Sequence, residues 1–449
     1  MRDLIVLAIV FLSVPIALFR PYYGVLVWVW IAYFNPHRFT WTYAYNFPVA
    51  MTIAIPTLIG IFFARQLNRR FLVREMVLLS LLWIWFGIVL LNAMHTPAFA
   101  GHVADAIFEM NRVSKALLMT YVMALLVTSE KKLKYLVLVT AFSFGILAIK
   151  GAVFGLRTAG AERVWGPPDS FIADNNGFAL ALNMTLPFLF YLARAESNRW
   201  LRLALNIAFF GGIISVVLTY SRGGLLGLAA VLGLISLKSR YKVAGVAMLL
   251  ITGVAIVTFA PGAWMDRMST LQSNAQGEHD GSAEERIVTW QTGLRFVQDY
   301  PLMGGSFQTL PDAAIFQRYQ PRPLPNGFRS SGPHSIWIQT VSEQGIVGLI
   351  LFTLMIGSSL LTFRSVRRRA RQAAALQWMV PYTQMFEVGL LGFLVSGTFL
   401  GLAYFDLFYQ FIASAALIKI LYRREALALS ASESPVEHAF PRLAEQPST

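Results

Sequence analysis

The sequence lacks cysteine and has few charged residues. None of the 449 residues is Cys, so a disulfide framework and a thiolate metal site are both excluded. Charged residues make up 13% of the chain and hydrophobic residues 56%, and apolar windows recur near the roughly 20 residues that cross a bilayer. These runs are unbroken, which favours helices over an alternating β-barrel pattern. The composition therefore predicts an all-α polytopic membrane protein.

Loop charges predict the orientation of the chain. Candidate membrane segments lie at residues 3–18, 24–35, 49–64, 76–93, 116–128, 133–154, 175–193, 203–219, 223–237, 243–260, 335–363, 382–400 and 404–421. Basic clusters lie at residues 65–70, 130–134, 194–202, 238–242, 364–371 and 422–425, and the positive-inside rule places them in the cytoplasm. The net charge of +14 is concentrated in these loops, so we expect no nucleic-acid partner.

This alternation leaves the loops at residues 94–115, 155–174, 219–223, 261–333 and 401–403 on the outer side. We expect about twelve helices with both chain ends inside, in which the first two short segments make one crossing or include a non-spanning element. The first 18 residues resemble a signal peptide but lack a small-residue cleavage site, which indicates a retained helix.

The predicted membrane domain covers residues 1–425 and includes one long loop, and a separate tail follows it. The loop at residues 261–333 is too long for a simple connection and is predicted to fold as an outer cap. Residues 426–449 are short, polar and contain Pro and Ser, which predicts a disordered cytoplasmic tail. No internal repeat supports an inverted-repeat transporter.

Arg222 lies at an outer turn in "LTYSRGGLLGL". Ser221 is a suitable N-cap for the helix that follows, and Gly223 and Gly224 would permit close approach of a ligand to the helix start. A guanidinium matches the geometry of phosphate oxygens, so this pattern indicates an anion site. The alternative is a tight turn with one arginine that reaches toward the headgroups.

The segment "KGAVFGLRTAGAERVWGPPDSFIADNNGFALAL" brings further cations to the outer side. Lys150, Arg157 and Arg163 approach the same face, and Asp174 or the next residue would cap the returning helix. Arg163 beside Trp165 could bind phosphate or sugar. An arginine stacked on tryptophan for structural reasons is equally compatible with the sequence.

The cap contains a predicted amphipathic helix in "AEERIVTWQTGLRFVQDYPLMGGSF". Ile287, Trp290 and Leu294 fall near one face, and a Pro/Gly turn ends the helix. Arg286 lies near its start and is a candidate for binding the same anion. The alternative is an ordinary salt bridge with one of the two glutamates that precede it.

His334 opens the segment "HSIWIQTVSEQGIVGL", with Arg329 nearby in the sequence. Pro333 precedes it, so we expect His334 in the first helical turn, where the helix dipole would keep its imidazole neutral. A neutral imidazole suits a general base, although an interfacial histidine is also a common amphipathic side chain. Glu343 falls on nearly the opposite face, and we expect a neighbouring helix to satisfy it.

These stretches together resemble the O-antigen ligase and polymerase superfamily. The histidine-initiated helix is similar to the family's signature helix, with Glu343, Gly345 and Gly348 in a Glu-x-Gly-x-x-Gly-like pattern. The stretches "TYSRGG", "RVWGPPDSFIADNNGFALAL" and "ERIVTWQTGLRF" with "PLMGG" are similar to its remaining motifs in the same order, over about residues 150–350. The "RVWGPP" variant further resembles ligases associated with exosortase systems.

The resemblance implies a glycosyltransferase of lipopolysaccharide biosynthesis in a Gram-negative inner membrane, with its site facing the periplasm. It implies transfer from an undecaprenyl-diphosphate-linked O-antigen to lipid A-core, with inversion and without a cofactor or a metal. His334 would be the base, and Arg222, Arg163 and Arg286 would bind the diphosphate. Possible further substrate contacts are Lys150, Arg157, Trp165, Arg329 and Asp406.

Three alternatives remain open from the sequence. An O-antigen polymerase would use the same donor on another carrier-linked glycan, and a protein O-glycosylation ligase would direct it to Ser or Thr. A lipid-linked glycan transporter belongs to a different class and should carry ionisable residues deep in several helices. The sequence instead predicts that charges gather at the outer helix ends.

Overall fold

The computed structural model describes residues 1–238, 281–325 and 327–433. Within these ranges the chain forms α-helices and short 3-10 turns without a β-strand, as the composition predicted. The helices are α1 (Arg2–Phe19), α2 (Pro21–Phe34), α3 (Val49–Gly60), α4 (Arg74–His95), α5 (Val103–Leu126), α6 (Glu130–Arg157), α7 (Asn175–Ala195), α8 (Arg199–Leu218), α9 (Arg222–Lys238), α10 (Gly281–Asp299), α11 (Ala313–Tyr319), α12 (Ile336–Ala370), α13 (Met379–Gly397) and α14 (Asp406–Glu433).

Six of the described helices are long and apolar enough to cross a membrane, by length and composition: α1, α4, α6, α7, α8 and α12. Two shorter apolar helices cover Pro21–Phe34 and Val49–Phe63. These features agree with a polytopic membrane protein. The count of about twelve helices stays a prediction, because the segment at 243–260 lies outside the described residues, as do residues 261–280 of the loop and the tail at 434–449.

The helix bundle has two chemically different ends. One end, the basic end, contains Arg20, Arg65 and Lys131, which line a common cavity. The other end contains Asp169 and His334, and we call it the outer end after the sidedness that the positive-inside rule predicts. Successive helices connect the two ends.

The first three helices alternate between these ends. Asp3 accepts backbone hydrogen bonds from residues 42 and 44, and Arg38 pairs with Asp169 at 3.4 Å, so the start of α1 lies at the outer end. Arg20, between α1 and α2, lies at the basic end. The two short apolar segments therefore make two passes through the bundle. α1 and α2 run in opposite directions between the ends, so the single crossing is wrong. The other alternative, a non-spanning element, agrees with α2, whose 14 residues cover about 21 Å and fall short of a full bilayer span.

The last helix extends farther than the sequence suggested. α14 runs to Glu433, and Trp378 donates a hydrogen bond to Glu425 near its end at 3.0 Å. Residues 426–433, predicted to be disordered, are helical because Ala and Leu in this segment are strong helix formers. The two ends of the described chain consequently lie at opposite ends of the bundle, which contradicts the prediction that they share one side.

α5 also begins earlier than its apolar run. It starts at Val103, inside the predicted outer loop at residues 94–115. Charged residues interrupt the hydropathy there, but the fold satisfies them. Glu109 pairs with Arg112 at 3.2 Å, and the Arg112 guanidinium lies 3.7 Å from the centre of the Phe171 ring.

α12 is interrupted at Gly345, and a loop of the cap inserts there. Gly345 has φ 66° and ψ −172°, a conformation that is essentially restricted to glycine. Residues 301–308, between α10 and α11, dock against this interruption. The backbone hydrogen bonds are Gly305 N to Ser342 O (3.0 Å), Ser306 N to Glu343 O (2.8 Å) and Ile346 N to Pro301 O (2.8 Å).

The "PLMGG" stretch and the glycine pattern after Glu343 thus form one structural unit. We call it the loop–helix interlock (residues 301–308 with 342–346). A Cβ atom on Gly345 would overlap Leu302, and one on Gly304 would overlap Ser342. Glu343 is buried and its Oε1 accepts a hydrogen bond from Gln308 N at 3.0 Å. The sequence predicted a structural role for Glu343 beside another helix, but its hydrogen-bond partner is this loop.

Candidate active site

His334 lies just before α12 and not in its first turn. The helix begins at Ile336, with Ser335 as its N-cap, and His334 has φ 45° in the left-handed region. The expectation of a helical histidine is therefore wrong. The chain turns at this residue before it enters the bundle, and this turn sets the direction of the imidazole.

The segment of residues 331–335, which we call the histidine strap, is tied to α10. Trp290 Nε1 donates to the carbonyl oxygen of Pro333 at 3.0 Å, and Ser331 Oγ donates to Glu285 at 2.6 Å. On another side, a Cβ on Gly401 would lie 3.4 Å from the backbone nitrogen of His334. Both the cap and the loop before α14 therefore position the histidine.

The surroundings of His334 favour its neutral form. Burial lowers the pKa of His334 below its ordinary value of 6.5, and the charge of Arg286 lowers it further. Glu285 and Asp174 act in the opposite direction, with smaller effects on this pKa. The sequence predicted a neutral imidazole from the helix dipole, but the main physical cause is burial. At neutral pH the side chain is able to accept a proton.

Arg286 lies near the start of α10 and is largely withdrawn from solvent. Burial lowers the pKa of its guanidinium, and Glu285 raises it. Among the described residues Arg286 forms no ion pair, whereas Glu284 pairs with Arg322 at 2.9 Å. The simple salt bridge considered from the sequence is absent from this part of the chain. A desolvated guanidinium without a carboxylate partner suits an anionic ligand.

The exposed face of α10 is the one that the sequence marked as apolar. Ile287 and Leu294 are 49% and 54% exposed, whereas Val288 and Phe296 are fully buried. Gly293 on the buried side allows α10 to approach α12 closely. α10 carries apolar residues on two sides, so the spacing of these residues in the sequence did not show which side packs against the protein.

Arg222 begins α9, as predicted. Ser221 Oγ accepts a hydrogen bond from Gly224 N at 3.0 Å, which confirms the N-cap. The glycines, however, serve helix packing. A Cβ on Gly223 would lie 3.0 Å from the Cβ of Phe399, and one on Gly224 would overlap Ala179. The close approach that these two glycines permit is therefore that of Phe399 and Ala179, and the close approach of a ligand stays a prediction.

Phe399 connects this helix start with the histidine strap. Its ring centre lies 6.3 Å from that of Trp290, whose indole donates to the strap. On its other side it contacts the glycine that follows Arg222. Arg222 and His334 are 112 positions apart in the sequence, and this chain of contacts brings their segments to the same region of the outer end.

Arg163, Lys150 and Trp165 line a cavity of about 200 Å³ at the outer end. The Arg163 guanidinium lies 5.9 Å from the centre of the Tyr220 ring, close to the start of α9. The stacking on Trp165 considered above is replaced by this contact. The Lys150 ammonium lies 3.7 Å from the centre of the Phe39 ring. The structure therefore groups three of the predicted substrate contacts.

The other predicted contacts are not grouped with them. Arg157 and Arg329 are exposed, and in the described part of the chain neither shares an ion pair with another residue. Asp406 is buried at the start of α14, where its carboxylate accepts a hydrogen bond from Leu407 N at 2.8 Å. The carboxylate thus contacts the first turn of its own helix, and helix capping stays the alternative explanation for Asp406.

Asp174 is a site residue that the sequence indicated only as a cap. Its Oδ1 accepts hydrogen bonds from the backbone nitrogens of residues 176 and 177, at 2.9 and 3.0 Å. Its charge also raises the pKa of His334, against the effect of burial. The two residues are 160 positions apart, so no local pattern could have paired them.

Buried carboxylates also occur away from the outer end, contrary to the prediction that charges gather there. Glu75 lies 3.1 Å from Lys419, and Glu387 lies 2.6 Å from Lys238 and 2.8 Å from Arg364. Each of these two carboxylates thus has basic partners from another helix, and the pairs connect helices near the basic end.

Comparison with known families identifies a domain in part of the chain. Residues 207–353 match the model of a family described as O-Antigen ligase. The chain carries a domain of the O-antigen ligase superfamily. This O-antigen ligase domain contains Arg222, Arg286 and His334, and it confirms the resemblance found from the motifs. Enzymes of this family are of the glycosyltransferase or ligase type, and their substrates are in general lipid-linked glycans and lipid acceptors.

The region before the O-antigen ligase domain has a separate match. Residues 1–195 match a family of unknown function, DUF5935, and this range contains Lys150, Arg163 and Trp165. No curated protein matches the chain. The grouping of these three residues beside the O-antigen ligase domain therefore depends on the structure.

Proposed function

We propose that this protein transfers a glycan from undecaprenyl diphosphate to a sugar hydroxyl of lipid A-core on the periplasmic face of a Gram-negative inner membrane. The observation that carries the proposal is the pair of hydrogen bonds that ties the histidine strap, with His334, to the helix that carries Arg286, within the O-antigen ligase domain; burial and the charge of Arg286 both lower the pKa of His334. A base and an anion-binding group next to each other suit attack on a sugar carbon whose leaving group is a diphosphate.

In this proposal His334 acts on the acceptor. Its imidazole takes the proton of the acceptor hydroxyl as that oxygen attacks the anomeric carbon of the donor. The bond from this carbon to the acceptor oxygen forms while the bond to the diphosphate oxygen breaks. A single displacement inverts the configuration, and the proton passes from His334 to solvent or to the released diphosphate.

Arginines stabilise the leaving diphosphate. Arg286 lies beside the base, and Arg222 and Arg163 lie at the start of α9 and beside it. A charge-assisted hydrogen bond contributes about 1.5 to 3 kcal/mol, so loss of one arginine should slow transfer by about 10- to 150-fold. Lys150 and Trp165 would contact the donor beyond the diphosphate, in the cavity that they share with Arg163.

Reconstituted transfer tests this proposal. Purified protein in liposomes is supplied with undecaprenyl-diphosphate glycan and lipid A-core, with a chelator present because we expect no metal requirement. Wild type should form product, and His334→Ala and Arg286→Gln should form little. Arg295→Gln is the matched control, because Arg295 is an exposed arginine on the same helix as Arg286. Normal transfer by His334→Ala would remove the histidine from the mechanism.

Other substrates in the same assay separate the alternatives. Elongation with the carrier-linked glycan alone would identify a polymerase, and transfer to Ser or Thr of a supplied protein would identify a protein O-glycosylation ligase. Movement of the donor across the liposome membrane without any transfer would identify a transporter.

A further inference from the structure

A basic cavity of about 570 Å³ lies at the end of the bundle opposite to His334. The turn between α1 and α2, the end of α3 and the start of α6 surround it. Its cationic lining residues are Arg20, Arg65, Lys131 and Lys132, and none of its lining residues is acidic. The transfer chemistry proposed above does not use this cavity.

Three of the four cations of this cavity are available to an anion. Arg20, Arg65 and Lys131 are exposed, and within the described ranges none of them forms an ion pair. The Lys132 ammonium is fixed by hydrogen bonds to the oxygens of Leu126 and Thr128, at 3.1 and 2.9 Å. Four positive charges in a lining that contains no carboxylate produce a local potential that attracts a phosphate group.

An apolar groove of about 600 Å³ joins this cavity. It runs between α2 and α6 and shares Tyr23 and Tyr135 with the basic cavity. From Tyr135 to Ile146 it follows about 16 Å of helix, roughly half the hydrocarbon thickness of a bilayer. Tyrosines at the junction of a polar and an apolar region are typical of the membrane interface.

We propose that the cavity and the groove together bind an anionic phospholipid of the adjacent leaflet. The phosphate headgroup would lie among the four cations, and an acyl chain would lie along α2 and α6. The apolar groove favours a membrane lipid over free phosphate, because free phosphate would leave it without a ligand. The positive-inside rule assigns this leaflet to the cytoplasmic side, where anionic lipids meet basic pockets between helices.

Native mass spectrometry of the detergent-purified full chain tests this site. The probes are long-chain phosphatidylglycerol, long-chain phosphatidylcholine, dihexanoyl phosphatidylglycerol and inorganic phosphate, each titrated separately. Wild type should retain long-chain phosphatidylglycerol more strongly than the other three probes. Equal retention of the two long-chain lipids, or equal retention of inorganic phosphate, would overturn the proposal.

A pair of double variants separates the cavity from the general charge of the basic end. Arg20→Gln with Lys131→Gln removes two lining cations, and Arg69→Gln with Arg70→Gln removes two exposed cations outside the cavity. The first should weaken phosphatidylglycerol binding about 30-fold, or about 2 kcal/mol, and the second should leave it within about twofold. Equal losses in both would refute a defined site.

Thermal unfolding without added lipid checks that both double variants fold. Added long-chain phosphatidylglycerol should then raise the unfolding temperature of wild type and of Arg69→Gln/Arg70→Gln, but not that of Arg20→Gln/Lys131→Gln. A rise of equal size in all three proteins would show that the lipid acts elsewhere.

Discussion

Because Gly345 lies in the loop–helix interlock, we expect that adding a single methyl group there lowers the stability of the protein strongly. Gly345→Ala places a Cβ on the backbone of Leu302 and forces a residue with a side chain into φ 66°, ψ −172°. Neither problem can be relieved inside α12 alone. The inserted loop must move away, or the helix must close over its interruption.

The structure sets the size of this effect. Backbone strain in this region costs about 1 to 3 kcal/mol. Moving the loop breaks hydrogen bonds that contribute about 0.5 to 1.5 kcal/mol each, and at least two of the bonds between residues 301–308 and 342–346 would be lost. We therefore expect Gly345→Ala to lower the free energy of unfolding by about 2 to 6 kcal/mol.

Gly357→Ala provides the matched control, because it lies in the same helix and a Cβ there meets no atom within 4 Å. Thermal unfolding in detergent should show a midpoint about 2 to 6 °C below wild type for Gly345→Ala and no decrease for Gly357→Ala. Transfer should also fall in Gly345→Ala at temperatures where the protein is folded, because the inserted loop follows α10, which carries Arg286. Similar unfolding midpoints for the two variants would refute the reasoning.

Three further predictions concern single side chains. Asp174→Asn keeps an efficient helix cap but removes a negative charge near His334, so the acid limb of the pH–rate profile for transfer should move to lower pH. A shift to higher pH would contradict the assigned electrostatics. Glu387→Ala leaves three basic partners without their buried carboxylate and should cost about 3 kcal/mol in denaturant unfolding, and a loss below about 1 kcal/mol would argue against these pairs. His102→Ala removes a buried hydrogen bond of 2.7 Å to the inserted loop and should cost about 1 to 3 kcal/mol, whereas the exposed His95→Ala should change stability by less than about 0.5 kcal/mol.

Hydropathy predicted those helices whose apolar runs end at charged or polar loops. The predicted segment at 76–93 corresponds to α4, and the segment at 175–193 corresponds to α7. It failed at α5, where Glu109 and Arg112 lie inside a helix and neutralise each other. A sliding average of hydropathy is lowered by both residues of such a pair. In the folded protein the two charges stabilise each other, so the helix continues through them.

In the candidate site, too, the sequence indicated single residues but not the contacts between distant segments. Residue type and local pattern were sufficient to select His334 and Arg286, since each stands out in its own segment. The hydrogen bond from Trp290 to Pro333 joins residues 43 positions apart, and the effect of Asp174 on His334 spans 160. Such pairings follow from helix packing, and no single segment encodes them.

The contacts of α10 hold the segments that carry Arg286 and His334 in a fixed arrangement. Near its start, α10 is tied to the histidine strap through Glu285 and Trp290. The loop that follows its end, residues 301–308, is hydrogen-bonded to α12 at the interruption beside Gly345. α10 is thus joined to α12 at both ends, so its contacts fix the backbone that carries Arg286 relative to the backbone that carries His334. Arg222 lies on a different helix and is linked to them through Phe399, which packs against Gly223 and Trp290.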